Sequence, residues 1–199
     1  MSISTLVDTT MTASLTQFLK DSFATSEDEI SEVVKYFKHI KVNKDEVLVE
    51  SDKVCYYFFF VVKGCVKTCF IDSLGHETTR YIAFENEFIS NLKSFIEQTP
   101  SSEYVCAIEP SELLAISYTD FRYALNRTTL FKDVYIKLLE KTYLYNHWRI
   151  ETLLRLDAKQ RYEYMLKNNK QHVQRLSNKN LSSFLGITQE SLSRVKGKK

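Results

Sequence analysis

Glycine and proline are scarce. Four glycines (Gly64, Gly75, Gly186, Gly197) and two prolines (Pro100, Pro110) serve 199 residues, and no two glycines give G-x-G or the P-loop spacing. Glycine loops that cradle phosphates are thereby excluded. The four histidines (His39, His76, His147, His172) are scattered, so neither H-E-x-x-H nor H-x-H metal spacing occurs. No metal, no cofactor and no catalytic cluster is expected, and the chain reads as a binder, not an enzyme. Cys55, Cys65, Cys69 and Cys106 lack C-x-x-C spacing and read as buried thiols of a reducing compartment. The first lysine is Lys20, so no basic stretch precedes an apolar run as a secretory signal requires. The longest apolar run, Val54 to Val62, is too short to span a bilayer. A cytoplasmic protein with no membrane partner is expected.

What is present is ordinary globular composition, 44% hydrophobic and 26% charged. The net charge is only +2, but it is unevenly spread. Residues 158–199 hold ten Lys or Arg against two acids, Glu163 and Glu190, which is +8 and leaves −6 on the preceding residues. Such asymmetry points one end of the chain at a polyanion.

Leu15, Phe18, Leu19, Phe23, Ile30, Val33, Val34 and Phe37 recur at helical spacing, predicting two short helices with a break near Ala24-Thr25-Ser26. Ser26 and Glu29 fit a capping box. From about Ile40 to Ser117 the runs Val47–Val49, Tyr56–Val62, Val66–Ile71, Thr78–Ala83, Tyr104–Ile108 and Leu113–Ser117 are rich in β-branched and aromatic residues. Turn signals at Lys63-Gly64 and Asp72-Ser73-Leu74-Gly75 separate several of them, as in an antiparallel barrel or jelly roll. Between Leu130 and Leu156 apolar residues occupy most of a helix circumference. Such a helix is covered on more than one side, either inside one protomer or by a second copy, and Val134, Leu138, Tyr145 and Trp148 are the expected dimer contacts. Asp157 is positioned to cap a following helix.

The most specific signal is Asn178 to Val195. Leu181, Leu185, Ile187, Leu192 and Val195 supply a small core for two helices joined at Gly186, and Ser182 is small where they cross. Thr188 caps the second helix, whose first turns present Gln189, Glu190, Ser191 and Arg194, side chains able to read base edges. Lys179, Lys196, Lys198 and Lys199 are placed for phosphates.

This order of helices, β-roll, long helix and helix-turn-helix resembles the catabolite activator and fumarate–nitrate regulator superfamily of bacterial transcription factors. The resemblance spans nearly the whole chain. Its clearest matches are Leu181–Val195, with Glu190 and Arg194 at the base-reading positions, and Val61-Val62-Lys63-Gly64-Cys65-Val66-Lys67, similar to the family's strand-turn signature. Gln189 stands where cyclic-AMP-responsive members carry arginine. The ligand cassette departs from the pattern: Ser90, Asn91 and Leu92 occupy the Gly-Glu-Leu positions, and Ser101 and Ser102 the Arg-Ser/Thr positions. Without the arginine a charge-assisted phosphate contact is gone. An N-terminal iron–sulfur cysteine cluster is absent too, since the first cysteine is Cys55.

The resemblance implies an α+β protein with an N-terminal antiparallel β-roll, a long dimerisation helix and a C-terminal winged helix-turn-helix. The expected divisions are 1–118 for the roll with its leading helices, 119–156 for the connector and dimerisation helix, and 157–199 for DNA binding. The expected function is a homodimeric, sequence-specific transcription regulator reading an inverted-repeat operator in double-stranded DNA, with RNA polymerase as a further partner. Its roll takes an unidentified small-molecule effector, lining Ser90, Asn91, Leu92, Ser101 and Ser102, or serves as a ligand-free scaffold. The alternative is a cyclic-nucleotide-binding-like module acting through protein contacts.

Overall fold

The computed structural model describes residues 9–197. Two helices lead, α1 (Thr9–Ser22) and α2 (Glu27–Val34). Ser26 and Glu29 form the capping box, with the serine hydroxyl accepting from the Glu29 amide and the Glu29 carboxylate accepting from the Ser26 amide. Eight strands follow: β1 (Lys38–Val42), β2 (Val47–Val49), β3 (Tyr57–Lys63), β4 (Val66–Ile71), β5 (Glu77–Ala83), β6 (Phe88–Ile89), β7 (Glu103–Ala107) and β8 (Ser111–Ser117). The short helix α3 (Leu92–Glu97) stands between β6 and β7. Two four-stranded sheets result, ordered β1-β8-β3-β6 and β2-β7-β4-β5. The described residues beyond Ser117 form helices only: α4 (Tyr118–Arg127), α5 (Thr129–Arg155), α6 (Ala158–Asn168), α7 (Lys170–Arg175), α8 (Asn178–Leu185) and α9 (Gln189–Gly197). The mixed α+β class and the antiparallel roll are as expected. The wing implied by the resemblance has no strand among these residues, because no β-branched run follows Ser117.

The chain divides into two compact units. The first comprises the chain up to Thr68 together with Ile82–Leu138; the second comprises Cys69–Tyr81 and the chain from Leu139 on. In the first unit, β3 and β8 are buried on both faces over their central residues, Phe58, Phe59, Phe60 and Val61 on one strand and Leu113, Leu114, Ala115 and Ile116 on the other. Phe58, Phe88, Phe95, Phe121 and Phe131 link through ring pairs 5.0–5.7 Å apart. Gly64 closes the β3–β4 turn at φ +100°, and a Cβ there would sit 2.2 Å from the Ser111 hydroxyl oxygen, so only glycine fits. All four cysteines are buried, and none is in a disulfide. Among the described residues no helix is long and apolar enough to cross a membrane.

In the second unit, residues 69–81 of the β4–β5 hairpin pack with the C-terminal part of α5 and with the helices after it. The Tyr145 hydroxyl donates to the Arg80 carbonyl at 3.0 Å, and its ring meets Tyr81 edge-on at 4.9 Å. Asp157 caps α6 in a second capping box, with Gln160 as its partner.

Candidate nucleic-acid interface

Helices α8 and α9 are joined by a turn that the sequence dictates atom by atom. Ser177 caps α8 by accepting from the Asn180 amide at 3.2 Å. Gly186 ends it in the left-handed region, φ +66° and ψ +42°, while the Ile187 amide returns to the Ser182 carbonyl at 3.1 Å. The Thr188 hydroxyl then accepts from the Ser191 amide at 3.1 Å and starts α9. Leu181, Ser182, Phe184, Leu185 and Leu192 are buried, so the two helices share one small core.

The opposite side of α9 presents polar groups. Gln189, Glu190 and Arg194 are exposed, Ser191 is half-buried, and the Arg194 guanidinium donates to the Ser191 hydroxyl at 3.2 Å. The Glu190 carboxyl is held below the usual carboxylate range, first by its own backbone amide, then by the Thr188 hydroxyl and the charge of Arg194. The first turn of α9 thus favours the carboxylate form of Glu190, with a cation four residues on. Lys179 is exposed on α8, and Lys196 donates to the Asn178 side-chain oxygen at 2.6 Å, tying the end of α9 to the start of α8. Lys198 lies outside the described residues.

Three residues support this module and carried no local signal in the sequence. Arg149, 8% exposed, donates to the carbonyls of Phe184 and of Thr79 and stacks on the Phe184 ring at 4.6 Å. Burial pushes its guanidinium pKa down. Arg161 donates to the carbonyls of Leu185 and Gly186 at 2.9 and 3.3 Å. The last carbonyls of α8, which no helical amide reaches, are thus taken up by two guanidinium groups at the negative end of the helix dipole. Arg161 belongs to the basic excess of residues 158–199, yet its charge is spent on this cap. Ser183 is the third: its hydroxyl donates to the Glu77 carbonyl at 2.9 Å and accepts from the Thr79 amide at 2.9 Å, pinning β5 to α8.

Of the five residues expected around an effector, Ser90, Asn91, Ser101 and Ser102 make their hydrogen bonds mostly with backbone groups, and Asn91 and Ser101 both bond to Glu103. The Asn91 side chain caps α3, accepting from the Ser94 amide and donating to the Glu103 carbonyl, both at 3.3 Å. Ser90 is buried and donates to the Tyr57 carbonyl at 2.9 Å, and Leu92 is half-buried. The Ser101 hydroxyl accepts from the Glu103 amide at 3.3 Å, and the Ser102 carbonyl accepts from Ser51 at 3.2 Å. Among the described residues no group of three or more side chains could hold a metal ion.

Of the expected dimer contacts, Val134 is buried in the first unit, Leu138 is half-buried, Tyr145 is held by Arg80, and Trp148 lies 5.5 Å from the rings of both Tyr145 and Tyr164. The side chains of α5 that face outward are different ones: Ile136, Leu139, Tyr143, Leu144, Ile150, Leu153 and Leu154, with Tyr143 71% and Leu154 81% exposed. Ile136, Leu139, Tyr143, Ile150 and Leu154 follow a spacing of three, four and seven, a continuous stripe.

These units define a class: a β-roll of the cyclic nucleotide-binding type joined to a helix-turn-helix. Residues 39–128 match the family model of the cyclic nucleotide-binding domain. Over most of its length the chain is similar in fold to solved structures of bacterial regulators. FixK2 of Bradyrhizobium japonicum is similar with a TM-score of 0.69 and 16% identity, over 80% of this chain and 82% of that one. The c-di-GMP-responsive global regulator CLP of Xanthomonas campestris gives 0.68 and 18%, over 85% and 89%. The catabolite activator protein of Thermus thermophilus gives 0.57 and 21%, over 87% and 83%. No curated protein matches the sequence.

Proposed function

We propose that this chain is a sequence-specific DNA-binding transcription regulator that acts as a homodimer. The observation that carries the reading is α9: a capped helix, held on a small shared core, with Gln189, Glu190 and Arg194 all exposed on one side in a module of strongly basic charge. In this reading α9 enters the major groove, Thr188, Gln189, Glu190, Ser191 and Arg194 face base edges, and Lys179, Lys196 and Lys198 meet phosphates. Residues 1–118 serve as sensor or scaffold, 119–156 join two copies, and 157–199 bind DNA. The outward stripe of α5 is the surface on which a second copy packs, which sets two recognition helices about one helical turn apart.

The roll is not proposed to hold a cyclic nucleotide in the manner of that domain family. Asn91 already satisfies the first turn of α3 with its own side chain, and serines stand where an arginine would neutralise a phosphate. Selection of bound duplexes from a random DNA pool tests the function. An enriched inverted repeat is expected; recovery of an unenriched pool, or no recovery, overturns the reading.

A further inference from the structure

The sheet β1-β8-β3-β6 has a second face. On it stand Lys38 and Ile40 of β1, Ala115 and Ser117 of β8, and Tyr57 and Phe59 of β3, every other residue of each strand; of these Phe59 and Ala115 are themselves buried, while Lys38 and Tyr57 are exposed. The register puts Lys38, Ala115 and Phe59 in one row, with Ser117 and Tyr57 in the next but one. An outward sheet face is ordinarily polar. This one is largely apolar and aromatic, and with Tyr36, Leu48 and Asp120 it encloses a cavity of about 370 Å³. That is within the size range of small-molecule sites.

Two charged groups around it are spaced apart and keep bonding capacity. Lys38 makes no ion pair among the described residues. Asp120 accepts from the Ser117 hydroxyl through one carboxylate oxygen at 2.7 Å, which leaves its other oxygen available. The two charges line the same cavity and do not pair with each other. None of Ser90, Asn91, Leu92, Ser101 or Ser102 takes part in it.

We propose that this cavity is a binding site for a small aromatic molecule bearing a carboxylate and an amino or hydroxyl donor. The aromatic body lies against Phe59, Tyr57, Ile40, Leu48 and Ala115, the carboxylate meets Lys38, and the donor meets Asp120. Aromatic walls favour a flat ring, and separated charges of opposite sign favour a ligand that carries both complements. The site is independent of DNA binding and stands whether or not the helix-turn-helix reads DNA.

Three probes separate the parts: L-tryptophan with both groups, indole-3-acetate with the anion alone, and tryptamine with the cation alone. The readout is the methyl NMR shift of Ala115 and Leu48 in the full chain, against Leu181 as a distant control. L-Tryptophan is expected to saturate with a dissociation constant below about 1 mM, tighter than either of the other two. Lys38→Met should weaken L-tryptophan and indole-3-acetate about tenfold and leave tryptamine unchanged; Asp120→Asn should weaken L-tryptophan and tryptamine and leave indole-3-acetate unchanged. Both variants are checked for an unchanged far-UV spectrum, and Lys38→Arg should retain binding. Absence of saturable shifts with all three probes, or shifts unaltered by Lys38→Met and Asp120→Asn, overturns the site.

Discussion

At the scale of single residues, two arginines of the C-terminal half illustrate how one side-chain type divides its uses. Arg194 is exposed and, among the described residues, its hydrogen bond is to the Ser191 hydroxyl, so its fork can turn toward a base edge. Arg149 is buried and bonded to two carbonyls, so its fork is a strut. Arg149→Met keeps much of the stem's packing but strands the carbonyls of Phe184 and Thr79, and is expected to cost about 3 kcal/mol in urea unfolding, given about 1.5–3 kcal/mol for each hydrogen bond from a charged donor and incomplete additivity. Arg149→Lys should recover little, since a single ammonium replaces the planar fork and removes its stacking on Phe184. A destabilisation below about 0.5 kcal/mol, the usual scale of surface substitutions, would show that the guanidinium is dispensable.

At the scale of elements, the turn between α8 and α9 was legible in the sequence because its signals are local. Gly186 was placed by its neighbours, Thr188 by its position before a polar helical turn, the capping box at Ser26 by Glu29 three residues on, and the cap at Asp157 by the helical spacing that follows it. The supports of α8 were not legible. Arg149, Arg161 and Ser183 act on partners 5 to 106 positions away, and nothing in their surroundings of three or four residues marks them. Strand β1 was missed for another reason: Lys38-His39-Ile40-Lys41-Val42 is too charged to read as a strand, and its lysines are tolerated because one faces the open cavity and the other is exposed. The two-residue β6 and the six-residue α7 are shorter than any periodicity can register. Gly186→Ala tests the turn. A Cβ at φ +66° is strained and would sit 3.2 Å from a Leu153 methyl, so a destabilisation of about 1–2 kcal/mol is expected by thermal unfolding. An unchanged melting temperature would mean that the turn adapts without cost.

At the scale of the molecule, burial altered the expected dimer surface without removing the case for one. Periodicity showed that α5 is apolar nearly all round, but could not say which side the protomer itself covers. Val134 goes inward and Tyr145 is spent on the hairpin, while Ile136, Tyr143, Ile150 and Leu154 are left facing out. An apolar stripe of this length on a 27-residue helix calls for a partner. Sedimentation at micromolar concentration should give twice 23.3 kDa, and Leu154→Glu, at a position that touches little within the protomer, should return the monomer. A wild-type monomer would remove the dimer and, with it, the inverted repeat.

The central claim is that α9 reads sequence while lysines around it supply affinity, and these two contributions separate on matched and scrambled duplexes titrated at several salt concentrations. Arg194→Ala is expected to weaken binding by about 1–3 kcal/mol per half-site on the matched duplex and little on the scrambled one, because a bidentate contact to guanine is the commonest arginine readout. Lys179→Ala should weaken both alike and reduce the salt slope by about 0.9 for each phosphate that the lysine no longer neutralises. Equal weakening on both duplexes for Arg194→Ala, or no duplex binding by the wild type, would contradict the account.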